Sequence, residues 1–171
     1  MLMSRLLSGA AVVTSGVTAA VYTYFSASAM PALAAAPPAE GLTRMQEFNR
    51  DAEQAPFLLC FFGAAALSVA TLVRQARAPR GERSVVAVVG SCLYLAGFVL
   101  TIVYHVPRNT AIAQLDASSA ASAAPWAALA AEWTAGNTVR AVLSGAATVC
   151  FAAALLARRG VRRARRVPTT R

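Results

Sequence analysis

The chain has 171 residues, 57% of them hydrophobic and only 13% charged, a balance too apolar for an ordinary soluble domain of this length. Sixteen arginines and no lysine stand against seven acidic residues, for a net charge of +9; with Gly and Pro together near a tenth of the chain, disordered and collagen-like classes are excluded. Cys60, Cys92 and Cys150 all lie in apolar runs without a CxxC spacing. They read as small core residues, with neither a disulfide framework nor a zinc site expected.

In chain order, charged residues delimit four apolar windows at 6–39, 54–73, 84–107 and 141–157, the last extending back to Trp133 if Arg140 is tolerated. Each can cross a bilayer, since about 20 residues at 1.5 Å per residue span roughly 30 Å of hydrocarbon. The fold class expected is all-α: a four-transmembrane-helix bundle with helices at about 6–29, 55–74, 84–107 and 126–157. Short interfacial helices lie in the outer loops and an Arg-rich tail occupies 158–171. Proline disfavours helix in the residue before it, so the first helix is expected to end near Met30-Pro31 and the third at Pro107. Pro56 suits a helical first turn.

The first window also imitates a cleaved signal peptide, with Arg5, an apolar stretch and Ala32-Leu33-Ala34. Its apolar run is about twice a typical signal core, which favours retention. Arginine placement sets the topology: Arg74, Arg77, Arg80 and Arg83 in the second connection and seven arginines in the tail belong on the cytoplasmic side. The net-negative first and third connections belong outside. The expectation is a multi-pass plasma-membrane protein with both termini cytoplasmic. The tail reads as an inside-retention signal or as a site for anionic lipid or nucleic acid; retention needs no nucleic acid, and no nucleic-acid partner is expected. Membrane lipids, a hydrophobic small-molecule substrate and a second copy of the chain in a homo-oligomer are the expected partners.

Polar residues recur at helical spacing. The first helix offers Ser8, Ser15, Thr18, Tyr22 and Ser26. Gly63, Ala66 and Ala70 of the second make a small-residue face for close packing. The third has Gly90, Tyr94, Gly97, Thr101, Tyr104 or His105, and Arg108 on one face, with Val89, Leu93, Ala96, Leu100 and Val103 opposite. The fourth, opening after Pro125, has Trp126, Leu129, Trp133, Asn137, Arg140, Ser144 and Thr148. Chain direction brings Tyr22, Ser26, Thr101, Tyr104, His105, Arg108, Trp133, Asn137 and Arg140 to one depth, in the outer half. A guanidinium there must face the interior, with Glu47, Asp51 or Glu132 as its partner. Thr43 and Gln46 fit a capping box, and Leu42, Met45, Phe48 and Ala52 form the apolar stripe of a short lid helix. Residues 117–125 read as a low-complexity linker.

Several chemistries lack their residues. One histidine cannot supply two axial haem ligands, no Cys or carboxylate cluster offers a metal site, and no glycine loop cradles phosphate. No metal and no cofactor are expected. General acid-base chemistry is left, with His105 the side chain suited to take a proton at neutral pH. Each polar residue also has a structural reading: Trp126 and Trp133 as interface anchors, the tyrosines as interhelical hydrogen-bond donors, Asn109 as a cap on the Pro107 turn.

The series Ser28-Ala29-Met30-Pro31-Ala32-Leu33, Met45-Gln46 with Asn49, Val106-Pro107 with Asn109, then Trp126, Trp133-Thr134, Asn137 and Arg140 resembles the anthrone oxygenase-like family of small four-helix membrane proteins. The resemblance covers about residues 6–157 and departs from the family pattern at His105, Arg108, Gly136 and Thr138. It implies an integral membrane protein, some of whose relatives oxidise polyketide anthrones to anthraquinones with O2 and no bound cofactor. On that reading His105 is the base, and Arg140, Asn137 and Asn109 stabilise the oxyanion. Trp133, Asn49, Tyr104, Tyr22 and Trp126 are the substrate contacts. The alternatives are a non-catalytic membrane protein that binds a lipid-like ligand or a partner protein, and a small channel or transporter.

Overall fold

The computed structural model describes residues 2–52 and 55–164, with side chains over 6–51 and 56–157. Helix α1 (Leu2–Tyr24) passes through a π-helical turn, Phe25–Ala29, directly into α2 (Met30–Ala35). Helix α3 (Pro38–Ala52) folds back beside it, and α4 (Ala55–Arg77) follows. A short turn at Arg80–Glu82 leads to α5 (Val85–Leu100), which passes through a second π turn, Thr101–His105, into α6 (Val106–Ala113). After a turn at Ala120–Ser122, α7 runs from Ala123 to Ala164. No strand occurs among the described residues.

Four stretches are long and apolar enough to cross a membrane: Leu6–Ala35, Pro56–Arg77, Val85–Ala113 and Ala120–Ala157. The protein is therefore an all-α, multi-pass membrane protein. Helix α1 packs beside α7 and α4, and α5 beside α4 and α7, which closes a ring of four in the order α1, α4, α5, α7. Large apolar side chains such as Leu59, Val103, Val142 and Val149 point outward, where acyl chains replace water as their solvent.

The expected stops at Met30-Pro31 and Val106-Pro107 do not occur. Both helices continue, because each proline is preceded by a π turn. Met30 N–H bonds the Phe25 carbonyl and Val106 N–H the Thr101 carbonyl, each five residues back. Widening the turn by one residue lets the helix pass a ring that would otherwise strike the carbonyl four residues before it. The extra residue also decides which side chain points inward on α5–α6: His105 is buried, while Tyr104 is only half-buried.

One end of the bundle, holding α2, α3 and α6, is here called the lid end. Its core joins Met30, Leu33, Leu42, Met45, Ile112, Trp126 and Trp133, with Phe25 and Phe48 packed against it. Leu42, Met45 and Phe48 thus turn inward as a lid stripe; the side chain of Ala52 lies outside the described residues. The capping box does not form. Thr43 sits inside α3 and donates to Ala39 O, while Gln46 Nε2 donates to Ile112 O (3.0 Å) and Leu115 O (2.9 Å), closing the end of α6.

Toward the other end, Tyr94 ties three helices together: its hydroxyl donates to Phe61 O at 3.0 Å and lies 3.3 Å from Thr18 Oγ1. Thr148 donates to Ser15 Oγ at 2.9 Å. Alanines 11, 64, 65 and 147 fill the space between, as small residues do where membrane helices approach closely. At Gly90 a Cβ would meet Cys150 Cβ at 2.8 Å, so α5 and α7 touch there by backbone. The packing face of α4 is Phe61, Ala64, Ala65 and Ser68; Ala66 and Ala70 face lipid. Cys92 also faces outward rather than into the core.

Candidate functional site

Just below the lid-end core, polar side chains of three helices meet around Arg140, which is 5% exposed. Arg140 Nη2 donates to Asn137 Oδ1 at 2.7 Å and Nη1 to Thr101 Oγ1 at 3.3 Å. Its Cζ lies 4.2 Å over the Tyr22 ring. Nε makes no hydrogen bond. No carboxylate pairs with this guanidinium among the described residues. The expected partner Glu132 is taken by Arg108, whose Nη2 and Nε reach Glu132 Oε2 at 2.8 and 3.0 Å. Among the described residues neither Glu47 nor Asp51 is paired with Arg140.

Asn137 orients the guanidinium through its own anchoring. Its Nδ2 donates to Tyr22 O and to Ser26 Oγ, both at 2.7 Å, so the amide oxygen is left to face Arg140. Ser26 sits within the first π turn, and Tyr22 precedes it in α1.

His105 is fully buried, and neither ring nitrogen makes a hydrogen bond; Nε2 lies beside the Gly136 backbone. Its ring stands edge-on to Trp133, with centroids 5.3 Å apart and planes at 86°. Arg140 Cζ lies 5.4 Å from the centroid of the same indole. Imidazole and guanidinium therefore share one aromatic neighbour. Asn109 fixes that neighbour: its Oδ1 accepts from Trp133 Nε1 at 2.8 Å, and it does not merely cap the Pro107 turn.

Of the sequence-predicted residues, His105, Trp133, Asn137, Arg140 and Tyr22 come together here, with Asn109 one hydrogen bond away. Tyr104 flanks His105, but its hydroxyl donates to Glu132 O at 3.1 Å and Arg108 Cζ stacks on its ring at 3.4 Å. Trp126 and Asn49 belong to the lid. Trp126 and Trp133 are both buried, so neither is an interface anchor, and the Asn49 side-chain nitrogen is buried without a partner. Thr101 and Ser26 contact the cluster directly, although spacing marked them only as members of polar stripes. Two departures from the family pattern are neighbours in space: a Cβ at Gly136 would lie 2.9 Å from His105 Nε2 and 2.5 Å from Tyr104 Cε1.

A separate cavity of about 560 Å³ opens between α2 and α7 on the flank of this cluster, reaching from Ala36 and Pro38 down to Thr138. Among the described residues no three His, Cys, Asp or Glu side chains gather as a metal site. The sequence profile of the anthrone oxygenase family matches residues 45–150, well over half of the chain. That span holds His105, Asn109, Trp133, Asn137 and Arg140. No curated protein matches the chain, and no solved structure does.

Proposed function

From the premise that the chain belongs to the anthrone oxygenase-like family, we propose that it oxygenates an anthrone-like aromatic polyketide inside the membrane, without a cofactor. The observation that carries this reading is the pairing around Trp133 of a buried imidazole and a buried guanidinium that has no counter-ion among the described residues. An anthrone has an acidic CH2 across its central ring from the ketone and conjugated with it through the flanking aryl rings, so removing one of those protons moves charge onto the ketone oxygen. His105 takes the proton. Arg140 and Asn137 hold the oxyanion, in a low-dielectric site where such donors act most strongly. Asn109 positions Trp133, and Trp133 and Tyr22 wall the ring system. Trp126 and Asn49 contact it from the lid, and Tyr104 from beside His105.

The anion passes one electron to O2, and the two radicals join as a C–O bond at the deprotonated carbon. The peroxide takes the proton back from His105, then loses water as the second C–H breaks. The balance is anthrone plus O2 giving anthraquinone plus water. His105 is fully enclosed, so substrate reaches it only when the lid end opens; π turns are common at such functional deformations. The arginines of the second connection and of the tail support a plasma-membrane location with both termini cytoplasmic and the lid end outside.

The test is the purified protein in lipid nanodiscs with an anthrone and O2, following O2 uptake and quinone formation for the wild type, His105→Ala and Arg140→Met. Wild-type acceleration lost in both variants supports the reading; equal rates in all three refute it. The enclosure of His105 favours a second reading, a protein that binds a lipid-like ligand without transforming it. Saturable binding with no quinone formed would select that one.

A further inference from the structure

We infer that Tyr104 is a gate over His105 and that the Arg108–Glu132 ion pair latches it, so that a charge pair at the lid end sets how often the site opens. The purpose of the gate rests on the oxygenase reading; its geometry does not. Imidazole and phenol lie side by side against α7 where Gly136 leaves room, since a Cβ there would lie 2.9 Å from His105 Nε2 and 2.5 Å from Tyr104 Cε1. The two ring centroids are 5.3 Å apart. His105 is completely enclosed and Tyr104 half-buried, so the phenol is the outer of the two rings. Swinging it away from α7 uncovers the imidazole.

The outer ring is clamped. Arg108 Cζ lies 3.4 Å over its face, its hydroxyl donates to Glu132 O at 3.1 Å, and Arg108 Nη1 donates to Tyr104 O at 3.1 Å. Arg108 is fixed in turn by Nε and Nη2, which both reach Glu132 Oε2, at 3.0 and 2.8 Å. The clamp joins α6 to α7, which runs as one helix from Ala123 to Ala164. Tyr104 and His105 themselves belong to the π turn Thr101–His105, and π turns are points where a helix bends. That turn supplies the pivot and the unbroken α7 the post. The side chains of Arg108 and Glu132 remain 25% and 53% exposed, so water and salt compete for the pair. An ion pair held this weakly biases the closed state and still releases, whereas the Asn109–Trp133 bond one residue further along both helices keeps the indole in place.

His105 is the one histidine of the chain. Its carbethoxylation by diethyl pyrocarbonate, followed by mass spectrometry on the full chain in nanodiscs, therefore measures how often the gate opens. We expect Arg108→Gln and Glu132→Gln each to speed the modification roughly threefold. The double variant should be no faster than Arg108→Gln alone, since either change removes the same pair. Salt at about 1 M should speed the wild type and leave the double variant unaffected. Tyr104→Ala, which removes the gate itself, should speed it by about tenfold or more. Amide exchange in α1 and α4 should stay at the wild-type rate in both Gln variants. Faster exchange there overturns the proposal, because the pair would then be holding the whole bundle and not a gate. Wild-type carbethoxylation rates in the variants overturn it too, as do additive effects in the double variant. Modification that responds as expected without anthrone turnover removes the oxygenase reading and leaves the gate standing. Anthrone turnover with His105 reacting equally in every variant does the reverse.

Discussion

Replacing Arg140 by Met separates a functional guanidinium from a structural one. A cation in this position costs about 2.5–3.5 kcal/mol on membrane-insertion scales, and the substitution removes that cost. Against this, Asn137 Oδ1 loses the donor now at 2.7 Å, worth about 1–3 kcal/mol for a buried acceptor left unmade. The cation–π contact over Tyr22 at 4.2 Å is lost as well, at about 0.5–2 kcal/mol. These opposing effects cancel to within about 2 kcal/mol, because no buried carboxylate is orphaned. Had Arg140 been half of a buried ion pair, its removal would cost about 3–5 kcal/mol. Catalysis behaves differently, since loss of an oxyanion donor lowers kcat by about 10²–10³. Unfolding in mixed micelles together with quinone formation in nanodiscs measures both quantities. Destabilisation beyond about 3 kcal/mol, or a rate within twofold of the wild type, would refute this reasoning.

Gly136→Ala should lower the unfolding midpoint by an amount equivalent to about 1–3 kcal/mol, the usual cost of overpacking. The new Cβ would strike Tyr104, whose ring is held under Arg108 and through Glu132 O; an unchanged midpoint would contradict that packing. Gln46→Ala orphans the Ile112 and Leu115 carbonyls, so amide exchange at residues 112–118 should accelerate at least tenfold while α5 is unaffected. Asp116 accepts from the Ser118 hydroxyl and backbone N–H, which hold its carboxyl below the ordinary value of 3.8. Its folded pKa is depressed, so its stabilising contribution is complete above about 3.8 and disappears as pH falls through the folded value. Asp116→Asn should remove that acid-side loss from a series of unfolding midpoints against pH, and a series identical to the wild type would contradict it.

Much of this was legible in residue spacing. The four spans follow from charge-free length, and the inward stripes of Ser15, Thr18 and Tyr22 and of Trp133, Asn137, Arg140 and Ser144 follow from helical period. Their meeting at one depth follows from chain direction. What spacing could not supply was a change of helical register. Treating Pro31 and Pro107 as stops overlooks the π turn that carries a helix past each proline, and only that turn selects His105 over Tyr104. Pairing of charges was also illegible: Glu132 stands about two turns from Arg140 on the same helix, and the contact between α6 and α7 that gives it to Arg108 is in no single-helix pattern. Of the small-residue face expected on α4, Gly63 does approach Thr14 of α1, but Ala66 and Ala70, chosen for size, turn outward, and Phe61, Ala64, Ala65 and Ser68 make the packing face. The fixed position of Asn109 beneath Trp133 depends on a contact between helices that no single-helix pattern contains.

The central claim is that the cation beneath the lid is kept without a counter-ion in order to receive an anion. Comparing the affinities of anthracene-9-carboxylate and its uncharged carboxamide for the wild type and Arg140→Met in nanodiscs tests it most directly. The account predicts at least a tenfold preference for the carboxylate in the wild type, lost in the variant. Equal affinities in the wild type, or a preference that survives the substitution, would contradict it.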